Sequence, residues 1–164
     1  MKIGYYASFE IDGRDSGIDG IVLDHNEQWV LVNRWRGDWF DGYTVFRKKY
    51  ISAEYKDEIA ENKIKTALYY DAPDYSKVRT MELTTVEQIL GFIGEHYSLL
   101  QLEVISGKEL KNVRFTGKEG EFFNFKELTS KLRWRYTFVV PDRELNFINF
   151  GNNELLHITK ELYN

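Results

Sequence analysis

The residue types that most often perform catalysis are present, but their spacing builds no familiar site. The three histidines lie far apart, and none combines with a second histidine or a carboxylate in a spacing that makes a convincing metal-ligand set. The aspartates before residue 25 lack the spacing and the closing glutamate of a calcium loop, and the serines lack a nucleophile-elbow context. The residues considered are His25, His96 and His157, Asp12, Asp15, Asp19 and Asp24, and Ser8, Ser16 and Ser98.

Cysteine is absent from the chain, which excludes disulfides, thiol catalysis and zinc–thiolate sites. No glycine-rich loop opens a helix in the way that a phosphate-cradling loop does. We therefore predict a protein without enzymatic activity, cofactor or metal. An enzyme that uses carboxylates alone remains an alternative, because such carboxylates leave no sequence motif.

The stretch NRWRGDWFDGY, residues 33–43, concentrates aromatic, arginine, aspartate and glycine residues. Its glycines tolerate positive φ and its aspartates favour turns, so it predicts a tight turn between two strands. Strand alternation cannot bury all of its aromatic rings on one face, so one or two of them should be exposed. Trp and Arg are also enriched at interface hot spots. The alternative to a purely structural turn is a protein-binding site at Trp35, Arg36, Asp38, Trp39 and Tyr43.

Basic charge gathers between residues 105 and 140, which hold eight Lys or Arg and four Glu. Within this stretch, cations and rings are interleaved as in proteins that bind single-stranded nucleic acid; the residues are Arg133, Trp134, Arg135 and Tyr136. A simpler interpretation is an ordinary half-exposed strand, with Trp134 and Tyr136 on one face and the two arginines on the other.

Composition favours a folded, β-rich protein. The hydrophobic fraction of 43% and the charged fraction of 29% suit a globular core, and 16% of the residues are aromatic, which favours pleated sheets. The net charge of -4 argues against non-specific nucleic-acid binding by the whole surface. No apolar run approaches the roughly 20 residues that cross a bilayer, and residues 1–13 do not form a signal peptide. We expect a cytoplasmic protein without membrane contact.

Hydrophobic periodicity predicts an α+β fold in which β structure dominates. Short strands with tight connections occupy residues 1–56, a helical connector covers 57–98, and strands return over 99–164. The alternative is that all three regions form one compact unit. In the connector, Thr84 or Thr85 should cap a helix, and residues 152–163 predict a short terminal helix. The two strand-rich regions predict two small curled antiparallel sheets joined by one or two helices.

The two strand-rich regions share a sequence pattern. Each contains a four-residue polar turn, HNEQ or GKEG, followed by an aromatic residue, Trp29 or Phe122, and later an Arg-Trp-Arg triplet. The triplets do not stand at equal offsets. Duplication and chance similarity of composition both remain open as explanations.

The stretches GIVLDHNEQWVLVNRW and DGYTVFRKKYI, together with FINFG at residues 147–151, resemble a pattern of uncharacterised bacterial proteins that look Sm-like. The resemblance covers residues 17–52 and, more weakly, 99–156. It implies a strongly bent five-stranded barrel in each half. The Asp-Gly-Asn and Arg-Gly loop motifs by which Sm proteins bind RNA are not evident in this chain.

These observations predict a non-catalytic interaction protein of an immunity or regulatory type. Small acidic chains often neutralise basic protein partners by charge complementarity. The alternative is an Sm-like nucleic-acid-binding protein that uses the basic and aromatic face of residues 105–140. Self-association into a homo-oligomer through exposed strand edges is a third alternative.

Overall fold

A computed structural model of the chain describes residues 1–103 and 110–164. Its class is α+β with β structure dominant, as predicted: ten antiparallel strands and three α-helices lie in the described residues. Two compact units divide the chain, unit 1 at Met1–Met81 and unit 2 at Glu82–Asn164. Each unit has its own core.

Unit 1 contains five strands followed by one α-helix. They are β1 (Tyr6–Ile11), β2 (Ile18–His25), β3 (Trp29–Trp35), β4 (Phe40–Arg47), β5 (Ile51–Tyr55) and α1 (Glu58–Tyr70). The strands are antiparallel and lie in the order β5-β1-β2-β3-β4. The fifth strand therefore returns to lie beside the first.

The β2–β3 hairpin forms at the predicted HNEQ turn. Asn26 closes it, because its side-chain oxygen accepts hydrogen bonds from the backbone N–H groups of Gln28 and Trp29. Further along, a Cβ on Gly20 would lie 2.1 Å from the carbonyl oxygen of Asn33. Only glycine allows the two strands to approach this closely.

Strand β3 is the centre of the unit 1 core. All seven of its residues are buried, and β2 and β4 pair with it on either side. The adjoining strands add aromatic packing, including an edge-to-face contact between Phe9 and Phe46 with ring centroids 5.5 Å apart. A strand buried on both faces reads as a continuous apolar run, as WVLV in β3 does.

Unit 2 contains a helix, five strands and a terminal helix. They are α2 (Val86–His96), β6 (Leu100–Glu103), β7 (Leu110–Glu119), β8 (Phe122–Leu128), β9 (Trp134–Pro141), β10 (Phe147–Phe150) and α3 (Asn153–Tyr163). Their strand order is β10-β6-β7-β8-β9. It matches that of unit 1 position by position, which favours duplication over chance.

Both helices of unit 2 begin as their sequences predict. Thr85 and Gln88 form a complete capping box at the start of α2. The side chain of Asn152 caps α3 by accepting a hydrogen bond from the backbone N–H of Leu155. The apolar stripe of α2 is buried at Val86, Ile89, Leu90 and Ile93.

The prediction of curled sheets or Sm-like barrels is wrong in its detail. A barrel requires the first and last strands of the order to pair with each other. Within the described residues, β4 does not pair with β5, and β9 does not pair with β10. The hydrogen-bond ladder of each five-strand set is therefore not closed on itself.

Candidate functional site

The β3–β4 connection is the tight turn that the sequence predicts. The backbone N–H of Arg36 donates to the carbonyl oxygen of Trp39 over 2.9 Å. Gly37 between them has φ +93°, a conformation that other residues adopt only with strain. The turn projects residues 36–39 beyond the paired ends of the strands, and all four are exposed.

The two tryptophans that flank this turn have opposite environments. Trp35 is 4% exposed and packs edge-to-face on Phe40, with ring centroids 5.0 Å apart. Trp39 is 52% exposed. Trp35 therefore belongs to the core, and Trp39 presents its ring at the surface.

The other predicted partner-binding residues lie around the turn in three settings. Arg36 stands 3.7 Å from the carboxylate of Asp41. The exposed carboxylate of Asp38 accepts a hydrogen bond from the ammonium group of Lys63, on α1, over 2.9 Å. Tyr43 is half-buried.

Tyr75 is hydrogen-bonded to strand β3 next to this turn. Its hydroxyl donates to the side-chain oxygen of Asn33 over 2.9 Å, and the side-chain amide of Asn33 donates to the carbonyl of Gly42 over 2.7 Å. Burial first, and then the neighbouring Tyr43, raise the pKa of Tyr75 above its usual value. Asn33 therefore links Tyr75 to the start of β4.

Helix α1 adds an exposed apolar face to the turn. Asp57 caps it, accepting hydrogen bonds from the backbone N–H groups of Ile59 and Ala60. Only Ile64 is buried, whereas Ile59, Tyr69 and Tyr70 are 73%, 83% and 80% exposed. Side chains four and seven positions apart share a helix face. Lys63 therefore lies on the face of Ile59 and Tyr70.

The Asp38–Lys63 ion pair places this face beside the turn. We call the combined patch the aromatic surface, made of Asp38, Trp39, Ile59, Lys63, Tyr69 and Tyr70. Sequence reasoning treated 57–98 only as a helical connector and missed the contribution of α1. The available signal was the apolar spacing of the helix. Ile64 is buried, and Ala67 and Leu68 are half-buried, whereas Ile59 and Thr66 are exposed.

In unit 2, three of the four predicted nucleic-acid residues are exposed and the fourth is half-buried. Arg133 is exposed and precedes β9, while Arg135 and Tyr136 are exposed within it. The guanidinium carbon of Arg135 lies 5.7 Å from the ring centroid of Tyr136. Trp134 is half-buried against a cluster of Leu99, Leu128 and Leu155. Residues 105–109 of the predicted basic face lie outside the described residues.

A register irregularity in β9 overturns the simple alternation predicted for this strand. Lys126 pairs with Thr137, but Leu128 pairs with Trp134, so β9 contains one extra residue. Trp134 shares the side of Leu128, whereas Phe138 pairs with Phe125 on the opposite side. Two even-numbered residues of one strand thus lie on different faces.

No histidine takes part in a multi-ligand cluster in the part of the chain that the structure describes. The ring Nδ1 of His25 lies 3.0 Å from the ammonium group of Lys48. His96 lies beside Glu95, and His157 pairs with a carboxylate one turn along α3.

Comparison with protein families, curated proteins and solved structures finds no match for this chain. Among the helices within residues 1–103 and 110–164, none combines the length and the apolar character needed to traverse a bilayer. The functional argument therefore depends on the two surfaces described above.

Proposed function

We propose that the protein is a non-catalytic interaction module of a regulatory or immunity type, which binds a protein partner through the aromatic surface. One observation carries this proposal: Trp39, Tyr69 and Tyr70 are largely exposed in the same unit. Exposed large rings beside a polar rim are typical of interface hot spots.

The geometry suits a partner with an apolar groove. Rings supply large contact areas and lose little side-chain entropy on binding, because they have only two rotatable bonds. The Asp38–Lys63 pair supplies a charged rim, which fixes orientation more than it adds affinity. The net charge of -4 favours a basic partner.

The test begins with a pull-down from lysate of the source organism, with and without nuclease, followed by calorimetry with the purified partner. We expect Trp39→Ala and Tyr70→Ala each to weaken binding by about 30-fold or more, the effect of truncating a hot-spot residue. Their unfolding free energy should remain within about 0.5 kcal/mol of the parent, because both side chains are exposed.

The matched control is Tyr136→Ala, which removes a ring of 70% exposure from unit 2. It should leave affinity for the partner unchanged. Equal losses for Tyr136→Ala and Tyr70→Ala would contradict a site on α1. Retained affinity in both Trp39→Ala and Tyr70→Ala would reject the proposal.

The second candidate is nucleic-acid binding by the 105–140 face, in the manner of an Sm-like protein. Its support is the excess of Lys and Arg in this stretch, within a chain that is acidic as a whole, and the Arg135–Tyr136 contact. Binding of an oligonucleotide should weaken steeply with salt and fall further in Arg133→Ala and Arg135→Ala. Oligonucleotide binding that is insensitive to salt and to both substitutions would rule out this second candidate.

A further inference from the structure

Two cations stand directly opposite each other in the sheet of unit 2. Arg114 on β7 is the cross-strand partner of Lys126 on β8. Directly opposed side chains share one face, with Cβ atoms about 5 Å apart, and like charges at such positions destabilise a sheet. An arrangement that costs stability in the free protein calls for a compensating contact.

No carboxylate within the described residues compensates this pair by an ion pair. The nearest acidic residue in β8, Glu127, pairs with Val113 and points to the opposite face of the sheet. On α3, Glu154 accepts a hydrogen bond from Gln101, and Glu161 pairs with His157. By contrast, Lys118, also on β7, has an ion pair with Glu87 at 3.3 Å.

The row of donors continues on the third strand. Lys126 is also the cross-strand partner of Thr137 on β9. Arg114, Lys126 and Thr137 are therefore successive cross-strand partners on one face of β7, β8 and β9. Arg114 and Lys126 are half-buried, and Thr137 is exposed, so a ligand can reach all three from solvent.

Arg114 is held in place by two aromatic residues. Its guanidinium carbon lies 4.6 Å from the ring centroid of Trp134, and its terminal nitrogen is 3.5 Å from the hydroxyl of Tyr163. Trp134 is itself packed on the leucine cluster. A stacked guanidinium keeps its donors available and loses less entropy when it binds an anion.

We propose that Arg114, Lys126 and Thr137 form an oxyanion site that takes a phosphate group. A phosphate carries up to two negative charges and several acceptor oxygens, which match two cations and one hydroxyl. A single carboxylate would neutralise only one of the two cations. The site is distinct from the aromatic surface and does not depend on the function proposed for it.

The decisive variant is Lys126→Glu, tested in the full chain. It removes one phosphate donor and replaces a like-charge pair with an opposite-charge pair. The parent should bind inorganic phosphate saturably in an NMR titration, and Lys126→Glu should weaken that binding at least about tenfold, as expected for loss of a charge-assisted hydrogen bond. The apparent melting temperature of Lys126→Glu in phosphate-free buffer should not fall below that of the parent.

Lys118→Ala is the control, because it removes a cation from β7, the strand of Arg114, that already has an ion pair with Glu87. It should bind phosphate as the parent does. A parallel titration with a short single-stranded oligonucleotide identifies the source of the phosphate group. Lys126-dependent binding of inorganic phosphate indicates a free phosphate or phosphomonoester, and Lys126-dependent binding of the oligonucleotide alone indicates a backbone phosphate.

Three results would overturn the proposal. One is the absence of saturable binding of either probe to the parent. Another is equal binding by the parent and Lys126→Glu. The last is an equal loss in Lys118→Ala, which would show that only general positive charge matters.

Discussion

The same tripeptide, Arg-Trp-Arg, occurs once in each unit, with opposite results. In unit 1, Arg34 and Trp35 are buried at the end of β3, and only Arg36 is exposed. In unit 2, Arg133 and Arg135 are exposed, and Trp134 is half-buried. Identical residues therefore serve as core in one unit and as surface in the other.

Strand position also differs between the two triplets. Strand β3 has neighbours on both sides, whereas β9 stands at the end of its order and pairs, among the described residues, with β8 alone. Position in the order does not decide burial by itself, because β7 also has two neighbours and is mostly exposed or half-buried. Side chains point to the two faces of a sheet, so their burial depends on what covers those faces and not on the tripeptide itself.

The largest expected difference is between the two tryptophans. Trp35→Ala should lower the unfolding free energy by about 3–5 kcal/mol, because it opens a large cavity in a packed core. The indole N–H of Trp35 has no hydrogen-bond partner in the described residues, so the loss is one of packing. Trp134→Ala should cost clearly less. Urea denaturation of both variants measures the difference. Equal losses of unfolding free energy would contradict the assignment of Trp35 to the core and Trp134 to a less buried position.

A smaller effect is expected at Gly20, the cross-strand partner of Arg34. Gly20→Ala should lower the unfolding free energy by about 1–3 kcal/mol, because the added methyl group would overlap the carbonyl oxygen of Asn33. Gly94→Ala in α2 is the control. A Cβ there meets nothing within 4 Å, so this variant should gain up to about 1 kcal/mol from helix propensity. Urea denaturation that ranks Gly94→Ala below Gly20→Ala would contradict this reasoning.

Alkaline pH should weaken unit 1 through its buried tyrosines. Burial, followed by the charge of Asp19, raises the pKa of Tyr6 to about 12. The unfolded chain loses this proton near pH 10, whereas the folded chain retains it. The contribution is therefore fully present below pH 10 and is lost as pH rises towards 12.

Urea denaturation at pH 9 and near pH 12 measures this loss. Tyr6→Phe removes the titrating group, so its unfolding free energy should fall less over this interval than that of the parent. Tyr136→Phe, at an exposed ring, should behave as the parent does. An identical fall in Tyr6→Phe and the parent would assign the alkaline loss to other groups.

The smallest effect is expected at the outer arginines of unit 2. Arg133→Ala should change the unfolding free energy by no more than about 0.5 kcal/mol, because the side chain is exposed. Arg34→Ala should cost more, since that side chain is buried and its guanidinium lies 3.4 Å from the hydroxyl of Thr44. Chemical denaturation measures the unfolding free energy of both variants. A larger loss in Arg133→Ala than in Arg34→Ala would contradict this expectation.

Local signals in the sequence predicted the parts of the fold that depend on neighbouring residues. The HNEQ hairpin, the Thr85 capping box and the terminal helix all depend on contacts within about four positions, and all three are confirmed. The β3–β4 turn was predicted for the same reason, from its glycines and aspartates.

The sequence could not predict where alternation breaks. One register shift places an extra residue in β4 between Phe40 and Tyr43, opposite Asn33 to Trp35, and another places an extra residue after Trp134 in β9. Each bulge changes the face that the following side chains occupy. Which tryptophan beside the turn is exposed, and which cations meet in unit 2, therefore depended on pairing between strands that no local pattern encodes.

The return of the fifth strand to the side of the first has a consequence for folding during synthesis. In unit 1, Ser8 must wait for Tyr55 to emerge before its strand has both neighbours, and in unit 2, Gln101 must wait for Asn149. Such distant pairings have high contact order and form slowly. Since chains emerge from the ribosome with the N-terminal part first, the fifth strand of unit 1 is synthesised while most of unit 2 is still to be translated.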